Sequence, residues 1–272
     1  MNDWLQTRLP KPRVTPAGWL RMVWRGCLLA VLTYGGLVLL LVLRLVERPL
    51  FGWARPWTPF ITQCVCRGGL VILGIGYSTT GIAMKTPGAM VANHSSWLDI
   101  FALNAAARIY FVAKSDVAGW AGIGWLARAT GTVFIARKTA EAKRHQQMFE
   151  ARLSAGHQLL FFPEGTSTDG LRVLPFKPTL FAAFFSVPDA LYIQPVTVVY
   201  HAPKDQDARH YGWWGDMAFA PHLLMLLAHK SGGRVEVIFH PAVAVSAFPD
   251  RKSLSAHCEQ VIRAAHQRLK ER

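Results

Sequence analysis

"AMVANHSSWLDIFALNAAA", Ala89 to Ala107, is the stretch that decides the fold. Ala89–Ala92 is a short run of small and apolar residues, which suits a strand buried on both faces. Polar residues follow at once, and from Ser95 to Ala107 the chain reads as a helix opened by Ser95 or Ser96. A buried strand feeding directly into a helix is the repeating unit of a layered α/β domain. The same alternation runs on toward the C-terminus. Strands are expected at Ile109–Ala113, Thr132–Ala136 and Leu159–Phe162, with helices at Val117–Ala129 and Thr139–Ser154 between them. A helix near Pro178–Val187 precedes the apolar run "ALYIQPVTVVY", then come an apolar helix at Pro221–Ala228 and the strand "RVEVIFH". An amphipathic helix, Ser253–Lys270, closes the chain. The expectation is an α/β fold, a layered mixed sheet with flanking helices.

In such sheets, sites gather where strands end and loops begin. Three reactive side chains stand at three such ends: His94, Arg137 and Glu164. His94 has the pKa range of a general base, and Asp99, five positions on, can reach back to one imidazole nitrogen and fix its tautomer. The spacing alone is weak, because a histidine at a helix start equally well bonds backbone. No serine or cysteine sits in a nucleophile-elbow pattern, so a covalent acyl-enzyme is not indicated. A base without a protein nucleophile suits activation of a substrate hydroxyl. Arg137 offers a planar fork for an anion, and the glycine turn at Glu164, Gly165 and Thr166 exposes backbone N–H groups. Taken singly, each also passes as a strand-end charge or an ordinary turn.

The N-terminal region has a different solvent. Eighteen uncharged residues, "GCLLAVLTYGGLVLLLVL", lie between Arg25 and Arg44. At 1.5 Å per residue they reach about 27 Å, enough to cross the hydrocarbon of a thin bilayer. Arg8, Lys11, Arg13, Arg21 and Arg25 precede the run, while Trp19, Trp24, Trp53 and Trp57 flank it. The length of the run and the lack of a small-residue cleavage site argue for an anchor over a signal peptide. A second apolar stretch, Ile61–Tyr77, is interrupted by Arg67 and Gly68–Gly69, which suits an interfacial helix or a buried core helix better than a lipid-exposed span. Two such helices, near residues 19–46 and 58–77, return the chain to the side where it began. Domain boundaries are therefore expected at 1–78 for the anchor and 79–272 for the α/β domain.

Charge and cysteines narrow the partners. Thirty Lys and Arg against sixteen Asp and Glu give +14, an excess that favours an anionic partner. A non-enzymatic membrane or nucleic-acid binder is one alternative, but the basic residues are scattered and carry no nucleic-acid motif. Cys27, Cys64, Cys66 and Cys258 have no metal-ligand spacing and read as reduced packing residues. No metal is expected.

Four motifs resemble, in order, those of the glycerolipid acyltransferase family, the PlsC-like enzymes that acylate lysophosphatidic acid. "NHSSWLD" resembles the first motif, "GTVFIAR" (Gly131 to Arg137) the second, "FPEGTS" (Phe162 to Ser167) the third, and "IQPVTVV" around Pro195 the fourth. The resemblance implies the glycerolipid acyltransferase fold with an N-terminal membrane helical pair. It implies that His94 deprotonates the acceptor hydroxyl while Asp99 orients it. Gly131, Arg137, Glu164, Gly165, Thr166 and Pro195 would contribute to substrate binding. The acyl donor would be acyl-CoA or acyl-carrier protein, with no other cofactor. The first expectation for the acceptor is 1-acyl-glycerol-3-phosphate, giving phosphatidic acid, at the cytoplasmic face of a bacterial inner membrane. One departure matters: where the family often has an arginine after EGT, this chain has Ser167. For a phosphate acceptor, Arg172 or Lys177 would have to replace that cation, and "EGTSTDG…VLPFK" also looks like bacterial relatives that acylate lyso-ornithine lipid. A lysolipid hydrolase or transacylase is a further alternative.

Overall fold

The structure is a computed structural model and describes residues 3–10, 14–86, 88–120, 122–135, 142–185, 191–230 and 232–271. Its centre is a mixed sheet. In chain order the strands are β1 (Gly76–Thr80), β2 (Gly88–Ala92), β3 (Tyr110–Lys114), β4 (Val133–Ile135), β5 (Leu159–Phe161), β6 (Tyr192–His201), β7 (Arg234–Phe239) and β8 (Val243–Ala244). Across the sheet they run β1-β7-β6-β2-β5-β3-β4, with β8 pairing β6. The strands from β6 to β4 are parallel, and β7 turns antiparallel to β6. The C-terminal ends of β2, β5, β3 and β4 therefore share one rim. β2 and β5 are buried along their whole length, as their unbroken apolar runs require.

Seven helices are described: α1 (Pro16–Phe51), α2 (Thr58–Leu73), α3 (Asp99–Ala106), α4 (Ile123–Thr130), α5 (Ala142–Ser154), α6 (Phe219–Ala228) and α7 (Arg251–Lys270). One core, with Met90, Leu103, Val196 and Val198, lies under α1, α2, α3 and α6; the other, with Val91, Phe161, Ile193 and Ile262, lies under α5 and α7. Alternation along β2 assigns Met90 to the first layer and Val91 to the second.

The expected elements are present, with four corrections. The α3 helix begins at Asp99 rather than Ser95, because the Asp99 carboxylate takes the Ser95 and Ser96 N–H groups that a helix start would leave free. The helix expected at Val117–Ala129 is two pieces: a 3-10 turn at Ser115–Gly119, then α4, parted by Gly122 at φ 73°. The helix expected near Pro178 is 3-10 in form over Pro178–Phe185. The boundary expected after residue 78 falls inside β1, a polar and largely exposed edge strand with no alternation to betray it.

The N-terminal pair is built into the domain. At 36 residues α1 is about 54 Å long at 1.5 Å per residue, well beyond the roughly 30 Å of bilayer hydrocarbon. Its N-terminal half packs on α6, where Arg21 Nε and Arg25 Nη1 donate to the α6 C-terminal carbonyls of Ala228 and His229 at 3.0 and 2.7 Å. Its remaining length packs on α2. Glu47 of α1, fully buried, accepts from the Trp57 and Thr58 N–H groups and the Thr58 hydroxyl at 2.7–3.0 Å, an anionic cap on the start of α2. The interruptions within α2 are contacts. A Cβ on Gly69 would come 2.6 Å from the Phe101 ring, and Arg67 Nε donates to Ala105 O at the end of α3. On α2, Cys66, Leu70 and Leu73 face the core, while Phe60 and Val71 on its other side are exposed.

Candidate active site

His94 stands two residues beyond β2, and its backbone is held from three directions. Asn93 carries the sheet pairing one step further: its side chain bonds both the N–H and the C=O of Val198 on β6, at 2.8 and 2.9 Å. The His94 N–H donates to Glu164 Oε1 at 2.7 Å, and the His94 C=O accepts from Thr168 N at 2.9 Å. The imidazole lies flat on Phe162, with centroids 4.0 Å apart and planes 13° apart. Phe162 in turn stacks on Phe111.

The ring's Nδ1 meets Asp99 Oδ2 at 2.7 Å. That oxygen also accepts the Ser95 and Ser96 N–H groups at 2.8 and 3.1 Å, and Oδ1 accepts the Tyr200 hydroxyl at 2.8 Å. Three donors on Oδ2 are satisfied by a carboxylate, which assigns the ring proton to Nδ1 and the lone pair to Nε2. Asp99 is fully buried, whereas the His94 side chain keeps 20% of its surface open. The result is a partly exposed imidazole of fixed tautomer, with Nε2 as its basic nitrogen. That arrangement can take a proton from a hydroxyl and hold it beside a buried negative charge.

Glu164 stands at the end of β5 and is only 2% exposed. Its two oxygens accept the His94 and Leu174 N–H groups, each at 2.7 Å, so the carboxyl ties two loops together and does not point to the exterior. Burial pushes its pKa up to about 8, against the pull of those two N–H donors and with a smaller push from the Asp99 charge. The turn after it carries cations. Gly165, at φ 74°, gives its carbonyl to Lys114 Nζ at 2.8 Å, and a Cβ on it would meet Lys177 Nζ at 2.6 Å. Thr166 beside it is exposed.

Arg137 is outside the described residues. Gly131 ends α4 at φ 87°, with its carbonyl on Arg152 and its open face toward Arg55 and Tyr110. Tyr110 and Phe111 point to opposite faces of β3, and Phe111 is on the His94 side, so Gly131 packs on the face away from the imidazole. Pro195 is buried within β6 opposite Val91, and its carbonyl accepts from His240 N. Arg172 is held by Asp169 through two hydrogen bonds at 2.9 and 3.1 Å and lies over the Trp4 ring. Sequence reasoning missed Tyr200 and Lys114. Tyr200 reads as one more aromatic in a buried strand, and Lys114 as a solvated strand end.

Comparison with known proteins decides the identity. The family profile described as Acyltransferase matches residues 77–199. A lyso-ornithine lipid O-acyltransferase of Rhodobacter capsulatus is 55% identical over 264 residues, 96% of each chain. The chain belongs to the PlsC-like acyltransferase family. A second relative of this acyltransferase, the lyso-ornithine lipid O-acyltransferase of Brucella abortus, is 36% identical over 78% of this chain and 82% of its own. The crystal structure of the 1-acyl-sn-glycerophosphate acyltransferase PlsC from Thermotoga maritima matches the acyltransferase with a TM-score of 0.66 at 20% identity, covering 94% of this chain and 97% of that one. That likeness shows the shared fold, and family membership sets aside the non-enzymatic reading of the basic charge.

Proposed function

We propose that this acyltransferase moves a fatty acyl chain from a thioester donor, acyl-CoA or acyl-carrier protein, to the hydroxyl of lyso-ornithine lipid. The observation that carries the chemistry is the His94–Asp99 pair, a partly exposed imidazole whose Nδ1 is fixed by a buried carboxylate. In the reaction, His94 Nε2 takes the acceptor's hydroxyl proton as that oxygen attacks the thioester carbonyl. The tetrahedral intermediate collapses, the C–S bond breaks, and the imidazolium returns the proton to the departing thiolate. The acceptor follows from the long match to two lyso-ornithine lipid O-acyltransferases and from Ser167 in place of a phosphate-directed arginine. An ornithine head group carries an amine and a carboxylate, and Lys114 and Lys177 at the Gly165 turn suit the carboxylate.

Lysophosphatidic acid, the acceptor first expected from the motifs, is the second reading, since the same two lysines suit a phosphate. One labelled donor offered to both lysolipids side by side separates them. We expect lyso-ornithine lipid to react at least tenfold faster, and a faster reaction with lysophosphatidic acid overturns the acceptor assignment. The placement of α1 supports a hairpin embedded in one leaflet at the cytoplasmic face. The α2 helix folds back along α1, where Gly36 and Gly68 seat Val65 and Leu32, and α6 of the catalytic domain packs on the N-terminal half of α1.

A further inference from the structure

Asp99 bonds on two sides. One oxygen serves His94 and the loop, and the other serves Tyr200, which lies 101 residues further along the chain on β6. We propose that Tyr200 is a positioning residue of the acyl transfer, the outer member of a Tyr200–Asp99–His94 chain that sets the carboxylate's orientation and the charge the imidazole feels. This inference rests on His94 being the base.

Sheet register puts the hydroxyl there. β2 and β6 run parallel with Ala92 opposite Val196, and the Asn93–Val198 bonds extend the pairing beyond the strand end. Two residues further, Tyr200 falls on the same face as Val196 and Val198, the face that α3 covers. Its ring therefore meets the first turn of α3, where Asp99 sits. Packing alone asks only for an aromatic ring at this place. A hydroxyl buried here is unfavourable unless bonded, and its partner is a carboxylate whose other oxygen already takes three donors. Without Tyr200, Oδ1 is a charged acceptor in a sealed site. The tyrosine itself is fixed: it is 3% exposed, its ring lies 5.8 Å from Tyr211, and its carbonyl accepts from Lys270 Nζ of α7 at 2.6 Å. Burial, and after it the Asp99 charge, hold its phenol well above the usual pKa, so it stays neutral and donates.

The hydroxyl therefore draws part of the carboxylate's charge away from the ring. Removing it concentrates that charge on the oxygen that faces His94. Besides Asp99 and Tyr200, the titratable and charged groups that the described residues place around this chain are Glu164, pushed up to about 8 by burial, Tyr211 beside the Tyr200 ring, Lys270 on the Tyr200 carbonyl, and Lys114 and Lys177 at the Gly165 turn.

The test is Tyr200→Phe in the full chain, with acyl transfer from one thioester donor to lyso-ornithine lipid followed from pH 5 to 9. The carboxylate also loses the bond that orients it toward the ring, and we expect that loss to dominate, with a fall in kcat of about tenfold at neutral pH, the scale of one charge-assisted hydrogen bond. The acid limb of the profile should move up by about half a unit or more, with KM for the acceptor unchanged because Tyr200 is buried behind Asp99. In an Asp99→Asn background the same change should have less effect, since the two residues act as one unit. Wild-type rate and profile in Tyr200→Phe overturn the inference. So does a loss of rate with an unmoved acid limb and a matching fall in Tm, which marks the hydroxyl as structural only. His94→Ala separates the two levels. If it keeps its activity, the base assignment fails; if it is inactive while Tyr200→Phe is normal, only the role of Tyr200 fails.

Discussion

Asp99→Asn is the sharpest perturbation of the proposed catalytic pair, because it removes a charge and almost no volume. The asparagine oxygen can take the place of Oδ2 and accept from Ser95, Ser96 and His94, and its NH2 group then faces the Tyr200 hydroxyl, which can turn to accept. Backbone geometry should survive, with a Tm within a few degrees of wild type. What goes is the negative charge 2.7 Å from Nδ1. When His94 takes the acceptor's proton, that charge stabilises the new imidazolium. With charge centres about 4 Å apart and an effective dielectric of about 20, the attraction is worth about 4 kcal/mol. At 1.36 kcal/mol per decade this corresponds to a loss of roughly a thousandfold in kcat/KM. The assay is initial-rate transfer of a labelled acyl chain to lyso-ornithine lipid, with thermal melting of the same preparation. A variant that melts like wild type yet keeps more than a tenth of the activity refutes the reasoning, because the carboxylate would then only shape the loop.

Two further outcomes follow from the third-motif turn. Glu164 has a folded pKa of about 8 against an ordinary 4.5, so the folded protein holds a proton that the unfolded chain releases. Its contribution is fully present below pH 4.5 and falls as pH rises to about 8, by as much as roughly 5 kcal/mol at 1.36 kcal/mol per unit. Melting curves should show the wild-type protein losing ground to Glu164→Gln across that window, and parallel pH profiles for the two exclude the shift. Lys177→Met removes a cation from beside Gly165 and should raise KM for the acceptor about tenfold, with kcat changed less than threefold, if that amine holds the head-group carboxylate. An unchanged KM assigns the head group to other residues.

Much of this architecture is readable from local pattern. Strands buried on both faces announce themselves as short apolar runs, and the switch to polar residues at Asn93 and Glu164 marks the rim where the site forms. His94 and Asp99 are five residues apart and joined by one loop, so their contact is a local fact. The misplacements are equally physical. β1 is an exposed polar edge strand whose pairing partner lies more than 150 residues away, and Ser95 reads as a helix cap although its own N–H is turned to Asp99 and α3 starts four residues later without a side-chain cap. Glycines in α2 read as breaks in an apolar span until Phe101 is seen lying on one of them.

Glu164 and Tyr200 mark the limit more sharply. A motif can say that a glutamate recurs beside a glycine; it cannot say whether the carboxyl faces a substrate or two backbone N–H groups, since that depends on where a neighbouring strand ends. Glu164 faces inward, and the open part of its turn is left to Gly165, Thr166 and two lysines from other segments. Tyr200 reaches Asp99 only because β6 pairs with β2 in one register. A shift by one residue would turn the ring to the opposite face, so the outer bond of the pair is set by tertiary pairing, not by neighbouring sequence. The proposed base and its carboxylate are therefore written within one loop, while Tyr200 and Glu164, which bond that carboxylate and that loop, come from segments that meet it only in the folded sheet.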